Sequence, residues 1–268
     1  MKAFGSERRR GRIVSLAGAA MLALGVATVL PVATAHADAP DDPWEKTNRD
    51  FFEFNMGVDR GLLRPAARGY RTVVPEPMRM GVSNMLENLT EPQTLFNNIL
   101  QGDAEAGWNT FIRFLLNTTI GLGGLFDVTT YGKFERRKED FGQTLAVWGV
   151  DSGPYMMLPL LGPSSARDTA GRVVDIVTDP FSLVFGFVPA VARTGTGIVD
   201  NRSETIEATE SLESTAIDLY ASVRTLYYQN REFEIRNGEP APLDDLYRDL
   251  ELEKDISVNF PTSTASAQ

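Results

Sequence analysis

The chain of 268 residues has no cysteine and a single histidine, His36. Without cysteine there is no disulfide, no thiolate nucleophile and no sulfur ligand for zinc. His36 falls in an N-terminal leader, so the chain without that leader also lacks the imidazole of a Ser-His-Asp triad. Nucleotide loops are missing too. Gly121-Leu122-Gly123-Gly124 and Gly195-Thr196-Gly197 lack the rest of a dinucleotide fingerprint, and no Walker lysine comes after a glycine loop. Gly162-Pro163-Ser164-Ser165 has no glycine where a nucleophile elbow needs one, and no calcium loop is present. A carboxylate pair working as acid and base stays open to any acidic chain, but no aromatic sugar platform stands beside one.

What is there begins with the leader. Arg8, Arg9, Arg10 and Arg12 precede an apolar stretch, Ile13 to Leu30, and Ala35-His36-Ala37 is a small-residue cleavage site. Residues 1–37 therefore read as a secretory signal peptide cut after Ala37, the alternative being an uncleaved anchor. The arginine pair hints at the twin-arginine route. The apolar residue expected soon after it is absent, which favours general secretion. Hydrophobic (43%) and charged (23%) contents are those of a globular protein. Loss of the leader removes five bases and one acid from 26 and 36, leaving 21 and 35, a net charge of −14. Such a surface repels nucleic acid and anionic headgroups at long range.

Two apolar runs stand out. In the first, Trp108, Phe111, Ile112, Leu115 and Leu116 form a helical stripe, and no charge lies between Arg113 and Asp127. Asn117, Thr118 and Thr119 interrupt it, and Gly121, Gly123 and Gly124 loosen the segment beyond them. The second, Pro180 to Ala192, is uncharged between Asp179 and Arg193 and broken by Pro189. Each is shorter than the roughly 20 residues a spanning helix needs, the length class of a buried core helix or of a re-entrant or interfacial segment. As a pair in an exported chain they suggest a protein seated in one leaflet. Phe114, Leu115, Leu116, Phe181, Leu183, Val184, Phe185, Phe187 and Val188 are the residues expected to be embedded.

The remaining pattern is helical. Asp42-Pro43-Trp44-Glu45 reads as a capped helix start, with Trp44, Phe51, Val58 and Leu62 on one face. Asn48 and Asn55 share that face one heptad apart. Either each is satisfied by neighbouring backbone or the face borders something amphipathic. Arg64-Pro65 and Pro75-Glu76-Pro77 predict extended or turn pieces around Tyr70. A helix from Met78 to Leu89 comes next, then a capping box at Thr90-Glu91-Pro92-Gln93 opening a helix with Leu95, Phe96, Ile99 and Leu100 inward. Gly102-Asp103 ends that helix and caps the next, an antiparallel hairpin. Arg136 to Asp140 reads as a solvated loop, Gly142 to Ala166 as irregular, and Arg167 to Val177 as a helix. Ser203 to Arg236 reads as one long amphipathic helix stopped at Asn237-Gly238. A short acidic helix, Leu243 to Leu250, and a polar tail complete the chain, so the organisation is 1–37 leader, 38–238 helical domain, 239–268 tail. Asn88, Asn117 and Asn201 begin glycosylation sequons, two of them in helices expected to be buried, and no glycan is assigned.

Together these residues resemble the MlaA/VacJ family. The resemblance runs through Asp42-Pro43-Trp44-Glu45, Asn48-Arg49, Phe54-Asn55, Arg64-Pro65, Val74-Pro75-Glu76-Pro77, Asn84, Asn88-Leu89 and Glu91-Pro92. It continues with Leu100-Gln101-Gly102-Asp103, Arg113, Asn117-Thr118-Thr119, Gly121, Gly123-Gly124, Gly153-Pro154-Tyr155, Leu158-Pro159, Gly162-Pro163-Ser164 and Arg167-Asp168. These motifs keep their order over nearly all of Asp42 to Arg236. The resemblance implies an all-α, ring-shaped domain lying in the inner leaflet of the Gram-negative outer membrane, on its periplasmic side, with an amphipathic central channel. It implies removal of mislocalised phospholipid from the outer leaflet and its passage to a periplasmic carrier, MlaC, with trimeric porins as membrane partners. No enzymatic step, cofactor, metal or nucleic acid is implied.

Asn48, Phe51, Phe54, Asn55, Asn117, Thr118, Thr119, Gly121, Gly123 and Gly124 are then the candidates for the channel. The resemblance further implies that Phe54-Asn55 matches an Asn-Phe pair that keeps the channel from leaking lipid outwards. Members of the family are lipoproteins acylated on an N-terminal cysteine, which this sequence lacks. Attachment would fall to the apolar runs and to porin contacts, or be transient. A scaffold that binds porins without moving lipid is the alternative from another class, and a carboxylate-dependent hydrolase a distant third.

Overall fold

The computed structural model describes residues 42–132 and 134–239. The leader with Ala37, the acidic helix at 243–250 and the tail lie outside the described residues. Helix α1 (Glu45–Val58) begins without a side-chain cap, two residues later than expected. Asp42 is otherwise engaged: its carboxylate accepts from Asn48 Nδ2 at 2.7 Å and from the Tyr220 hydroxyl. A π-helical turn, Asp59–Leu63, joins α1 to α2 (Arg64–Val73). Arg64 N donates to Asp59 O, five residues back, so the wide turn absorbs Pro65 and the break expected at Arg64-Pro65 does not form. Tyr70 therefore lies within α2, and only the second expected break forms, at the extended Val74 and Pro75 ahead of α3 (Glu76–Asn88).

Helices α4 (Glu91–Gln101) and α5 (Ala104–Thr119) form the expected hairpin. Gly102 supplies the left-handed turn at φ +77°, and Asp103 accepts from Ala106 N at 2.9 Å. A 3₁₀ turn at Val128–Tyr131 leads to α6 (Phe141–Val147) and a small sheet. Its strands, β1 (Tyr155–Leu158) and β2 (Gly162–Ser165), pair antiparallel with Tyr155 opposite Ser165. Next come α7 (Ala166–Thr178), α8 (Pro180–Phe185), α9 (Phe187–Glu204), α10 (Ile206–Thr215) and α11 (Leu219–Ile235). The fold is thus mostly helical.

The long C-terminal helix expected from Ser203 to Arg236 is cut twice. It breaks at Thr205 and again at Ala216–Asp218, where Ala216 is extended and the Asp218 side chain accepts from Ala221 N at 3.1 Å. A side chain that caps a new helix start competes with continuation of the old one. The stop at Asn237-Gly238 is as expected: both residues are left-handed, and Gly238 N donates to Phe233 O at 2.9 Å.

The interior is unusual in kind. Among the described residues, twenty-one polar or charged residues are buried against seven apolar ones. The apolar cluster is small: Tyr155, Met157 and Tyr220, with Phe52, Val223, Tyr227 and Tyr228 packed around them. The α4 stripe expected to face inward turns Phe96 and Ile99 outward, and the α5 stripe, part of the run expected to be embedded, is largely exposed. On α4, Phe96 and Ile99 are exposed while Glu91, Thr94, Asn97 and Asn98 are buried. On α5, Trp108, Phe111 and Leu115 are exposed while Thr110, Arg113 and Asn117 are buried. Water-soluble domains bury the opposite set. Nor is Arg136–Asp140 a solvated loop. Glu139 is buried, Arg136 pairs with Glu87, and Asp140 caps α6 and binds Arg231.

Candidate functional site

Two buried ionic knots hold the polar interior together. In the first, Arg113 of α5 donates to Glu91 at the start of α4 (3.3 Å), to Asp127 (3.0 Å), to Thr129 (2.7 Å) and to the Phe134 carbonyl (3.1 Å). Burial alone would raise the Asp127 carboxyl, but hydrogen bonds from Thr129 and Arg113 overcome it and hold the group at about 2. Burial wins at Glu91, whose carboxyl is pushed up although Arg113 opposes the shift. In the second knot, Arg231 of α11 donates to Asp168 of α7 (Nε, 3.0 Å) and to both oxygens of Asp140 ahead of α6 (2.7 Å each). Burial works against the charged forms of Asp168 and Asp140, yet Arg231 keeps both carboxyls below their usual range. Tyr227 and Arg167 complete the shell of Asp168.

The channel candidates fall into two separate groups that share no hydrogen-bond partner among the described residues. On α1, Asn48 is buried and takes up β1: its Nδ2 donates to Tyr155 O at 3.1 Å and its Oδ1 accepts from Met157 N at 2.9 Å. Asn55, half-buried, repeats the contact with Leu158 O (2.9 Å) and Leu160 N (2.7 Å). Of the two readings of these asparagines, satisfaction by backbone describes what their amides do. Phe51 and Phe54 are exposed.

The second group closes the end of α5. Asn117 Oδ1 accepts from Val128 N at 3.0 Å and its Nδ2 donates to Asp127 at 3.1 Å. Thr118 accepts from Asn88 Nδ2 at 2.9 Å, and Thr119 donates to Leu115 O. A Cβ on Gly121 would sit 2.2 Å from Phe126 O, so only glycine fits this close approach. Gly124 (φ +91°) lies against Asn88, whereas Gly123 (φ +73°) faces open space.

The embedded candidates are largely on the outside. Leu115 is exposed, with Phe114 and Leu116 half-buried beside it. Leu183, Val184, Phe185, Phe187 and Val188 are exposed at the tip where α8 turns into α9, and Phe181 is half-buried below them. The break in that run lies at Gly186. Pro189 sits in the first turn of α9, where a missing N–H leaves no bond unmade. Among the described residues no single helix is long and apolar enough to cross a membrane. One pair would be so together, Ala166–Phe185 with Phe187–Glu204, but it is bent by 116°.

Two cavities of about 300 and 320 Å³ open beside Asp103 and Arg137 and beside Asp168 and Arg231. Both are lined mainly by charged and polar groups, unlike the apolar walls that hold an acyl chain. No cluster of metal-ligating side chains occurs among the described residues. Glu91, Arg113 and Arg167-Asp168 stand in the sequence as motif residues without an assigned place, Asp140 ends the run read as a solvated loop, and Arg231 goes unmarked. Polar residues between exposed apolar ones on the same helix are the signal that could have found them.

A family model described as MlaA lipoprotein matches residues 40–234. The Haemophilus influenzae protein described as "Intermembrane phospholipid transport system lipoprotein MlaA" is 35% identical over 210 residues, covering 77% of this chain and 84% of that protein. The Escherichia coli K12 protein of the same description is 36% identical over 227 residues, covering 82% and 90%. A solved structure described as "Structural basis for maintenance of bacterial outer membrane lipid asymmetry" superposes with a TM-score of 0.66 at 36% identity. The match covers 73% of this chain and 99% of that one.

Proposed function

The chain belongs to the MlaA lipoprotein family, and on that premise we propose that it serves intermembrane phospholipid transport at the outer membrane. The observation that carries the reading is the distribution of side chains on α4, α5, α8 and α9: buried hydrogen-bonding groups behind exposed large apolar ones. That distribution suits a body surrounded by hydrocarbon, where buried polar groups must find partners within the protein. Apolar surface outside and short apolar runs would seat it in one leaflet. Phospholipid arriving from the other leaflet would pass through the body to a periplasmic carrier of the MlaC type. Exposed apolar faces would also meet a trimeric porin. These faces would carry the attachment to the membrane. Binding and passage require no bond to be made or broken.

Phe51, Phe54, Thr118, Thr119 and Gly123 are exposed, and in this reading they would meet lipid. Asn48, Asn55 and Asn117, with Gly121 and Gly124, would act from behind by fixing the backbone. Phe54-Asn55 suits a gate because Asn55 clamps the β hairpin at Leu158 and Leu160. Its deletion should free that hairpin and turn retention into outward leak.

The test is extraction of the full chain in mild detergent, followed by mass spectrometry of bound lipid. Co-purified glycerophospholipid is the expected result. Lipid-free protein still bound to porin would replace transport by scaffolding. A water-soluble chain indifferent to vesicles would overturn the membrane reading altogether.

A further inference from the structure

The apolar tip between α8 and α9 is braced at its base by one ion pair. Asp179, buried, lies just ahead of α8 and accepts from Ser182 N at 3.0 Å and from the Ser182 hydroxyl. Arg193, two turns into α9, donates to the same carboxylate through both Nη atoms, at 3.2 and 2.8 Å. Its guanidinium also lies over the Phe181 ring at 4.7 Å, and Phe181 stacks on Phe185 at 4.7 Å. A planar two-pronged contact of this kind fixes angle as well as distance. At the other end of the turn, Gly186 has φ +85° and ψ −178°, a conformation kept for glycine. The 116° bend is thus set at two points, and Asp179 and Arg193 are also the charges that bound the uncharged run 180–192.

Length gives the bend its consequence. Six residues of α8 rise about 9 Å, less than the roughly 15 Å of hydrocarbon in one leaflet. Straightened, residues 180–192 would rise about 20 Å and pass the bilayer midplane. We infer that the Asp179–Arg193 pair is a latch that holds the bend between α8 and α9 and so confines this apolar segment to a single leaflet. The inference rests on the membrane reading proposed for the whole chain. Asp179 and Arg193 are positioning residues: they touch no lipid and act through the angle they impose on Leu183, Val184, Phe185, Phe187 and Val188.

The absence of cysteine makes the test clean, because introduced thiols are the only ones in the chain. Spin labels on Val173→Cys and Ile198→Cys, exposed positions on either arm of the bend, report it by electron–electron resonance in detergent. A fluorophore on Val188→Cys alone reports depth in phosphatidylethanolamine/phosphatidylglycerol vesicles carrying brominated lipids. The native pair should give one narrow distance and quenching by shallow bromines. Arg193→Met should broaden and lengthen the distance and move quenching to deep bromines, and Arg193→Lys should restore most of both. Asp179→Asn keeps the helix cap while removing the charge, so it should behave as Arg193→Met with helix content unchanged by circular dichroism. An unchanged distance in folded Arg193→Met and Asp179→Asn protein overturns the latch. Native protein quenched at no depth overturns the leaflet assignment, while the detergent distances still judge the latch.

Discussion

Asn48 and Asn55, seven residues apart on α1, hold the β hairpin at two points: Asn48 bonds Tyr155 O and Met157 N along β1, and Asn55 bonds Leu158 O at its end and Leu160 N in the turn beyond. Each carboxamide turns one N–H and its oxygen to the hairpin, as a peptide group of a neighbouring strand would, and the second N–H of Asn48 goes to Asp42. The helix therefore supplies the partner that a two-stranded sheet lacks on that side.

Removing the first grip should cost more than removing the second. Asn48→Ala strands a buried carbonyl and a buried N–H, each worth about 1–3 kcal/mol when unsatisfied, so a loss near 3 kcal/mol is expected. Asn55 is half-buried and water can replace it, so Asn55→Ala should cost about 1 kcal/mol. Denaturant unfolding in mild detergent measures both. Equal losses would mean that the two contacts are not graded by burial.

The Arg231 knot should respond in the manner of a buried charge cluster. Arg231→Met leaves Asp140 and Asp168 facing one another without their shared cation, at an expected cost of about 3–5 kcal/mol. Both carboxyls are depressed in the folded state, so their contribution is present above the unfolded carboxylate range and lost as pH falls through the folded values. Arg231→Met should therefore be most damaging at neutral pH and least in acid. Adding Asp168→Asn to Arg231→Met should recover part of the loss by removing one of the stranded charges. A stability difference that does not vary with pH would exclude the electrostatic account.

Glu139 runs the other way. Burial raises its carboxyl to about 6 against a Gln101 hydrogen bond that favours the charge. Its folded pKa lies above the unfolded one, so the folded state binds the extra proton and stability falls as pH rises from 4.5 to about 6. Glu139→Gln should stabilise by about 2 kcal/mol at pH 7.5 and give no advantage below pH 4.5. Melting curves of both proteins across that range decide it.

These three sites show what the sequence made legible. The start of α4, the Gly102-Asp103 hairpin and the Asn237-Gly238 stop could be read because caps and left-handed residues act locally. The direction in which each helix faces could not, because periodicity identifies a stripe without saying what surrounds it. Phe96 and Ile99 alternate with Asn97 and Asn98 in either orientation, and the inward reading assumed water outside. Likewise Arg136–Asp140 looks like a solvated run until Arg231, ninety-one residues on from Asp140, is placed beside it. Long-range ion pairs leave no local mark.

Glycines give the last expectation, since their neighbours separate two opposite outcomes. A Cβ on Gly171 of α7 would lie 2.3 Å from Gly142 N and 2.6 Å from Gly142 Cα, so α6 and α7 approach backbone to backbone. Backbone cannot rotate away, and Gly171→Ala should cost about 3 kcal/mol or more by forcing the helices apart. Gly195 and Gly197 lie within α9 with open space at the Cβ position. There alanine loses nothing in packing and restricts the unfolded chain, so each substitution should stabilise by about 0.5–1 kcal/mol. Should Gly195→Ala or Gly197→Ala weaken the protein although the isolated chain has room for a methyl, that face of α9 would have to pack against a partner or lipid in the state measured. Repeating the melts in detergent and in vesicles would show which state tolerates the methyl.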